Sequence, residues 1–421
     1  MITQPAITAD DFLSLEPFDS FRTCSEISLC IIDDEAILFD ARDRKLYTAN
    51  TMAAFIWCYL EDGLKLLDII SKIVTTFHVP LIEADHHLLS ALKSWIRLDL
   101  ITDRNSAEEV TAETADTGFA SSLRIEPASS SITNSFKPVL ECSYRLLDTN
   151  FRLRFDSVDT YRAMELNLRP FAALFTDRDT SQEVIDVIGR GNTSALIHDG
   201  RILEKWAARD EIVPLARLAL ITLALERSRD FGAVHAATVR LKSDSRCLLL
   251  PGRSGVGKST LTAALIGDGF EALGDDTVVL SQKSLEVRPI PFGVCLKDGA
   301  WDLLASRFPK LATYPIHHRP DGKRVRYLMP EMIASLTDAQ ARHTVNWMIF
   351  PERNGTGEAH LVPVRRPDAL SRFVFQFCPL GTGWDSQKID RLAQWIGTIE
   401  CFELHFSTLD QGVRKLRELC A

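Results

Sequence analysis

The chain has 421 residues, 46% hydrophobic and 25% charged, with a formal net charge of −9 at pH 7, the make-up of an ordinary globular protein with room for two or three domains. The acidic balance argues against broad nucleic-acid binding, which needs a basic surface to displace counterions. No apolar run is long enough to span a bilayer, since the best candidate, Leu215 to Leu225, is short and contains Arg217.

The start, Met1 to Asp11, has acidic residues and no basic, apolar signal region, so export is not expected and a cytoplasmic location is. Nine scattered cysteines form no C-x-x-C pair. Zinc or thiol redox chemistry is therefore not expected, and the cysteines read as small buried hydrophobes in a reducing compartment.

In chain order, Ser28 to Asp33, Glu35 to Phe39 and Lys45 to Thr48 read as short strands separated by polar turns, followed by a helix from about Met52 to Leu60. Leu66 to Phe77 carries Leu66, Ile69, Ile70 and Ile73 at helical spacing. Pro80 breaks the chain, and Ile82 to Leu98 repeats the pattern with Leu88, Leu92 and Trp95. Small strands plus three helices suggest a winged-helix-like module over residues 1–103. Residues 104–135 change to Thr, Ser, Ala, Glu and Asp with few large apolar side chains, a flexible linker. Residues 136–421 then mix strand-like pieces such as Phe151 to Phe155 with a helix from Val213 to Arg227, and run on without an obvious boundary.

The strongest chemical signal follows. Gly252-Arg253-Ser254-Gly255-Val256-Gly257-Lys258-Ser259-Thr260 fits the phosphate-binding pattern G-x-x-x-x-G-K-[ST]. The glycines let backbone N–H groups converge on phosphate oxygens, Lys258 can reach the β- and γ-phosphates, and the Ser259 hydroxyl can ligate Mg²⁺. Arg246 to Leu250 reads as a buried strand before the loop, and Leu261 to Gly267 as an apolar helix after it, whose N-terminus would aim partial positive charge at the phosphates. ATP and Mg²⁺ are thus the expected cofactors.

Asp275 lies 17 residues after Lys258, within Gly274-Asp275-Asp276 at the end of a strand-like Phe270 to Leu273. If the carboxyl end of that strand opens at the same edge as the loop, the pair faces the γ-phosphate. One carboxylate can then serve Mg²⁺ while the other accepts the proton of an attacking hydroxyl. The alternative is a solvated Asp-Asp turn. His235, in Val234-His235-Ala236, is expected on the neighbouring strand, where it could orient a phosphate, meet the Asp pair, or be a satisfied core histidine. There is no N-K-x-D or T-K-x-D guanine-reading motif and no L-S-G-G-Q signature.

The run from Val234-His235-Ala236 through Gly252 to Ser259 to Gly269-Phe270-Glu271-Ala272-Leu273-Gly274-Asp275-Asp276 resembles the catalytic core of HPr kinase/phosphorylase and its bacterial relatives. The resemblance implies that Asp275 is the general base toward an acceptor serine, that Asp276 serves Mg²⁺ and charge balance, and that His235 sits beside the phosphates. Related kinases in peptide-biosynthesis clusters show stretches similar to Leu296-Lys297-Asp298-Gly299 and Arg324-Val325-Arg326-Tyr327. Lys297 and Arg326 become candidates for γ-phosphate or acceptor contacts, with solvated surface charge as the alternative. The family often forms hexamers, so a homo-oligomer is compatible with the resemblance.

Leu38-Phe39-Asp40, Leu46-Tyr47-Thr48-Ala49-Asn50, Ala53-Ala54-Phe55-Ile56-Trp57 and Glu61-Asp62-Gly63 look like a PqqD-type peptide chaperone domain. Such domains add a leader peptide as a strand to an exposed sheet edge. The rival, a DNA-binding winged helix, is opposed by Glu61, Asp62, Glu83 and Asp85 around the helices and by the lack of a basic recognition helix. The expected fold is thus an α/β P-loop kinase core preceded by a small α+β winged-helix domain. The expected function is ATP-dependent phosphorylation of a hydroxyl, expected to be serine, on a ribosomal precursor peptide captured by its leader. A small-molecule kinase and a nucleotide-gated binding protein are the rival classes.

Overall fold

The apolar periodicities of the first hundred residues form the expected elements, with ends shifted by a residue or so. The structure, a computed structural model, describes residues 21–103, 126–127, 136–172, 182–203, 207–208, 210–241, 246–290, 292–319, 321–329, 341–353 and 357–421. It is a mixed α/β architecture with several sheets, and no helix among the described residues is long and apolar enough to cross a membrane. The chain divides into two compact units, one of residues 1–114, 366–371 and 384–397, the other of residues 115–365, 372–383 and 398–421.

In the first unit, strands Ile27–Ile32, Glu35–Asp40 and Lys45–Ala49 make an antiparallel sheet in that order. Asn50 starts the first helix, Thr51–Glu61, by accepting the Ala53 N–H on its side-chain oxygen at 2.8 Å. Leu66–Phe77 follows and ends on His78 in the left-handed conformation, and Pro80 precedes Leu81–Arg97. The three helices bury Trp57, Ile69, Ile73, Leu88 and Leu92 against Leu38 and Ile27, and Trp57 meets Trp95 edge-on at 5.0 Å.

The opposite face of the sheet is buried as well. Cys30, Ile32, Ile37 and Phe39 are each 3% exposed or less. Their cover is the amphipathic helix Ser386–Gly397, which packs on strand Ile27–Ile32 and buries Ile389, Leu392, Ala393 and Ile396, while Trp384 just before it packs on Phe39 at 4.8 Å. The first unit therefore includes a segment more than three hundred residues downstream of its sheet, beyond the 1–103 module expected. The expected linker, 104–135, lies outside the described residues apart from Glu126–Pro127, which pairs with Arg201–Ile202.

The second unit is organised around a six-stranded sheet in the order Phe270–Gly274, Ala236–Leu241, Cys247–Pro251, Val345–Arg353, Glu400–Phe406, His360–Pro363. It is mixed. Cys247–Pro251, Val345–Arg353 and Glu400–Phe406 run parallel, whereas Ala236–Leu241 is antiparallel to both of its neighbours. Two antiparallel steps restore direction, so Phe270–Gly274 and Cys247–Pro251 end at one edge, where Ala236–Leu241 begins. A four-stranded sheet, Val287–Arg288, Val278–Leu280, Gly232–Val234, Phe377–Pro379, takes up the same two chains beyond that edge. Gly232–Val234 and Ala236–Leu241 are separated by one residue, His235, and Phe270–Gly274 and Val278–Leu280 by Asp275, Asp276 and Thr277.

Candidate active site

Strand Cys247–Pro251 is buried along its whole length, and helix Lys258–Gly267 buries Leu261, Ala263, Ala264 and Leu265 completely. Each such leucine contributes about 1.5–3 kcal/mol, so packing fixes the helix without help from its end. Its N-terminus indeed carries no side-chain cap, which leaves first-turn N–H groups available to an anion. Between strand and helix the loop turns through Gly255 (φ 99°) and Gly257 (φ 94°), values that side chains other than glycine resist.

A cavity of ≈ 90 Å³ opens against this loop, lined by Ser254, Gly255, Gly257, Lys258, Ser259, Thr260, Asp276, Cys295, Lys297 and Arg319. Gly252 and Val256 shape the loop from behind: a Cβ on Gly252 would lie 3.2 Å from Val256 Cγ2. Lys258 Nζ donates to the carbonyls of Gly252 and Arg253 and lies 3.2 Å from His235 Nε2. His235 Nδ1 is 2.9 Å from the Asp276 carbonyl. A carbonyl only accepts, so Nδ1 carries the proton and Nε2 is left to accept from the lysine. Burial, then the Lys258 charge, push the imidazole below its ordinary pKa, consistent with that neutral form. Burial likewise holds the Lys258 ammonium below its usual value, against the pull of Asp276 and Asp275.

His235 thus sits at the bend where its chain leaves one sheet for the other, rather than within a strand. The two carboxylates diverge. Asp276 takes a left-handed backbone (φ 68°) and lines the cavity, a strained geometry of the kind that clusters at functional sites. Asp275 is 3% exposed and turned inward, its Oδ2 accepting the Cys295 N–H at 3.0 Å and its Oδ1 buried with no hydrogen-bond partner among the described residues. Burial, then the Asp276 charge, push its carboxyl well above the ordinary range, and the Cys295 N–H and the nearby Ser259 hydroxyl oppose them. Hydroxyl and carboxylate oxygens from Ser259 and the Asp pair are hard donors of the kind magnesium takes.

Lys297 reaches across the cavity to Ser254 Oγ at 3.0 Å. Arg326 stands apart. It lies on the opposite face of strand Arg324–Leu328 from Val325 and Tyr327, with its guanidinium 4.1 Å from the Trp301 ring centroid and its Nε buried with no hydrogen-bond partner among the described residues. Sequence reading missed Arg319 and Cys295. Arg319 follows the two-residue strand His317–His318, and Cys295 belongs to the strand Val294–Lys297 paired with Arg324–Leu328. The His-His-Arg run is the only local signal for Arg319, and Cys295 acts through its backbone, which no residue type announces.

No protein-family model matches the chain, and no curated protein matches its sequence. Among solved structures it is similar to a lasso peptide synthetase B1 complexed with the leader peptide, at 24% identity over 20% of this chain and 98% of that one, with a TM-score of 0.19. TbiB1 in complex with the TbiA(beta) leader peptide matches at 20% identity over 19% and 93%, with a TM-score of 0.18. The HPr(Ser) kinase/phosphatase from Coxiella burnetii matches at 12% identity over 45% and 92%, with a TM-score of 0.21. At such TM-scores the functional reading rests on the chain's own geometry.

Proposed function

We propose that the chain is an ATP-dependent kinase that captures a precursor peptide on its first unit and phosphorylates a hydroxyl, serine in the leading version, of that peptide. The observation that carries the reading is the convergence of the glycine-rich loop, Lys258, Lys297, Arg319 and Asp276 on one small cavity, with Asp275 buried behind it against the Cys295 N–H. In the reaction the acceptor oxygen bonds to the γ-phosphorus, the bond from that phosphorus to the β–γ bridging oxygen breaks, ADP leaves, and the hydroxyl proton passes to a carboxylate. Lys258, Lys297 and Arg319 offset the charge on the phosphoryl oxygens. Magnesium bound at Ser259 and one carboxylate would neutralise phosphate charge.

The Asp pair supports two allocations. The resemblance makes Asp275 the base and Asp276 the magnesium partner. The inward position of Asp275 beside Ser259, and the place of Asp276 on the cavity wall, support the reverse. Asn substitution at the base should lower transfer by about 10²–10⁴-fold while Mn²⁺–nucleotide affinity holds. Asn substitution at the metal partner should weaken that affinity.

Peptide capture is supported by the first unit alone. Among the described residues, strand Lys45–Ala49 pairs on one side only, with Glu35–Asp40. A cavity of ≈ 490 Å³ lies between that strand and the third helix, lined by Tyr47, Thr48, Met52, Ala91, Ser94 and Trp95 among others. An unpaired edge beside a lined groove suits an added peptide strand.

The test is to incubate the protein with Mg-ATP and the small peptides of its source cell, and to seek one-phosphoryl mass gains that both Asn variants reduce. A modified peptide supports the kinase and identifies its substrate. ATP consumption with no modified peptide would move the reading to a small-molecule acceptor, and ATP binding with no product of any kind to a nucleotide-gated binding protein.

A further inference from the structure

Arg217 lies in helix Ile212–Arg227 and is 7% exposed. Among the described residues no carboxylate pairs with it, and its Nη1 has no hydrogen-bond partner. A buried cation is ordinarily paired. Here the guanidinium is held between two rings, 4.5 Å from the Phe292 centroid and 4.2 Å from that of Tyr327. The stack continues on both sides, Phe292 meeting Phe171 at 4.3 Å and Tyr327 meeting His317 at 5.4 Å.

The two rings bracket the segment that holds Asp275. Ile290, two residues before Phe292, donates its N–H to the Leu273 carbonyl, two residues before Asp275. Tyr327 stands opposite Cys295 in the strand pair, and the Cys295 N–H is the donor to Asp275 Oδ2. A planar cation gripped by both rings ties the segment from Phe292 to Cys295 to a helix buried along most of its length.

We infer that Arg217 is a positioning residue of the proposed phosphoryl-transfer site, clamping the Phe292–Cys295 segment so that the Cys295 N–H fixes the Asp275 carboxylate. The inference rests on the kinase reading for its catalytic consequence, but the clamp itself can be tested without turnover. Arg217→Met keeps a long apolar side chain and removes the planar cation, Arg217→Lys keeps the charge without the plane, and Tyr327→Phe keeps the ring.

The experiment follows amide hydrogen exchange over residues 292–297, resolved at Cys295, together with kcat and KM on a peptide identified by the mass-gain test. In Arg217→Met, the Cys295 amide should exchange at least about tenfold faster while the strands Cys247–Pro251 and Val345–Arg353 keep their protection. kcat should fall by up to about a hundredfold, the scale of a small misplacement of a reacting group, with KM for ATP unchanged. Arg217→Lys should recover only part of this, and Tyr327→Phe should behave as the unaltered protein. Unchanged Cys295 exchange in Arg217→Met would overturn the clamp, as would loss of protection spread evenly through the unit, which would make Arg217 a general core stabiliser. If Arg217→Met fails to fold, Phe292→Leu, which removes one ring and keeps the arginine, is put to the same two readouts. If the unaltered protein transfers no phosphoryl group, the kinase reading fails while the exchange result still decides the clamp.

Discussion

At the scale of single residues, the glycine-rich loop is where backbone geometry and chemistry coincide. Gly257 holds φ 94° immediately before Lys258, and nothing within 4 Å would obstruct a Cβ there. Conformation, not space, therefore excludes other residues. Gly257→Ala should cost about 1–2 kcal/mol of local strain and weaken ATP binding measured by calorimetry. Unaltered affinity would argue that the loop does not hold phosphate in this conformation. Lys258 and Ser259, which line the cavity, were legible as a pair because their motif is contiguous. Arg319 and the Cys295 N–H were not, because Arg319 follows one strand and Cys295 belongs to another, and the two strands come together only by pairing with Arg324–Leu328.

At the scale of elements, strand Glu35–Asp40 reads Glu-Ala-Ile-Leu-Phe-Asp, without the alternation of a half-exposed strand, and five of its six residues are buried. Continuous burial means cover on both faces. Its first cover, the three following helices, was visible in their periodicity. The second, Ser386–Gly397, was not, because an amphipathic helix states that it has a buried face but not what buries it. Deletion of residues 1–103 would consequently strip that helix of its partner, so the groove is better tested by filling it. Ala91→Phe on the third helix should abolish pull-down of any peptide that the mass-gain test identifies, while the thermal midpoint shifts little. Retained capture would remove the edge-strand reading.

At the scale of the whole molecule, ion pairs join segments far apart in sequence. Arg288 bridges Asp148, at 2.8 Å, and Asp230, whose side chain is 5% exposed. Arg288→Leu leaves Asp230 a buried carboxylate without its cation and should destabilise the second unit by about 3–5 kcal/mol in chemical denaturation. Asp148 is more than half exposed, so its share is about 0–1 kcal/mol. The hydrogen bond from Arg288 holds its carboxyl below the ordinary aspartate value. Its share is therefore complete above about pH 3.9 and is lost as pH falls through the lower folded value. Asp148→Asn should flatten the acid limb of the stability curve in that window, and an identical acid limb would argue against the pairing.

The sequence by itself determined the local elements and the glycine-rich loop with its lysine, because helical period, strand alternation and a contiguous motif are properties of neighbours along the chain. It also placed Asp275 and Asp276 at the end of a strand near that loop. Tertiary structure decided how the pair divides, with Asp276 on the cavity wall and Asp275 turned to Cys295. That division depends on two antiparallel chains leaving one sheet for another at the same level, at His235 and at Asp276, where the ladder is interrupted and side chains are freed to face different ways. Long-range pairing of this kind leaves no periodic trace in sequence, because each strand carries only its own half of the contact.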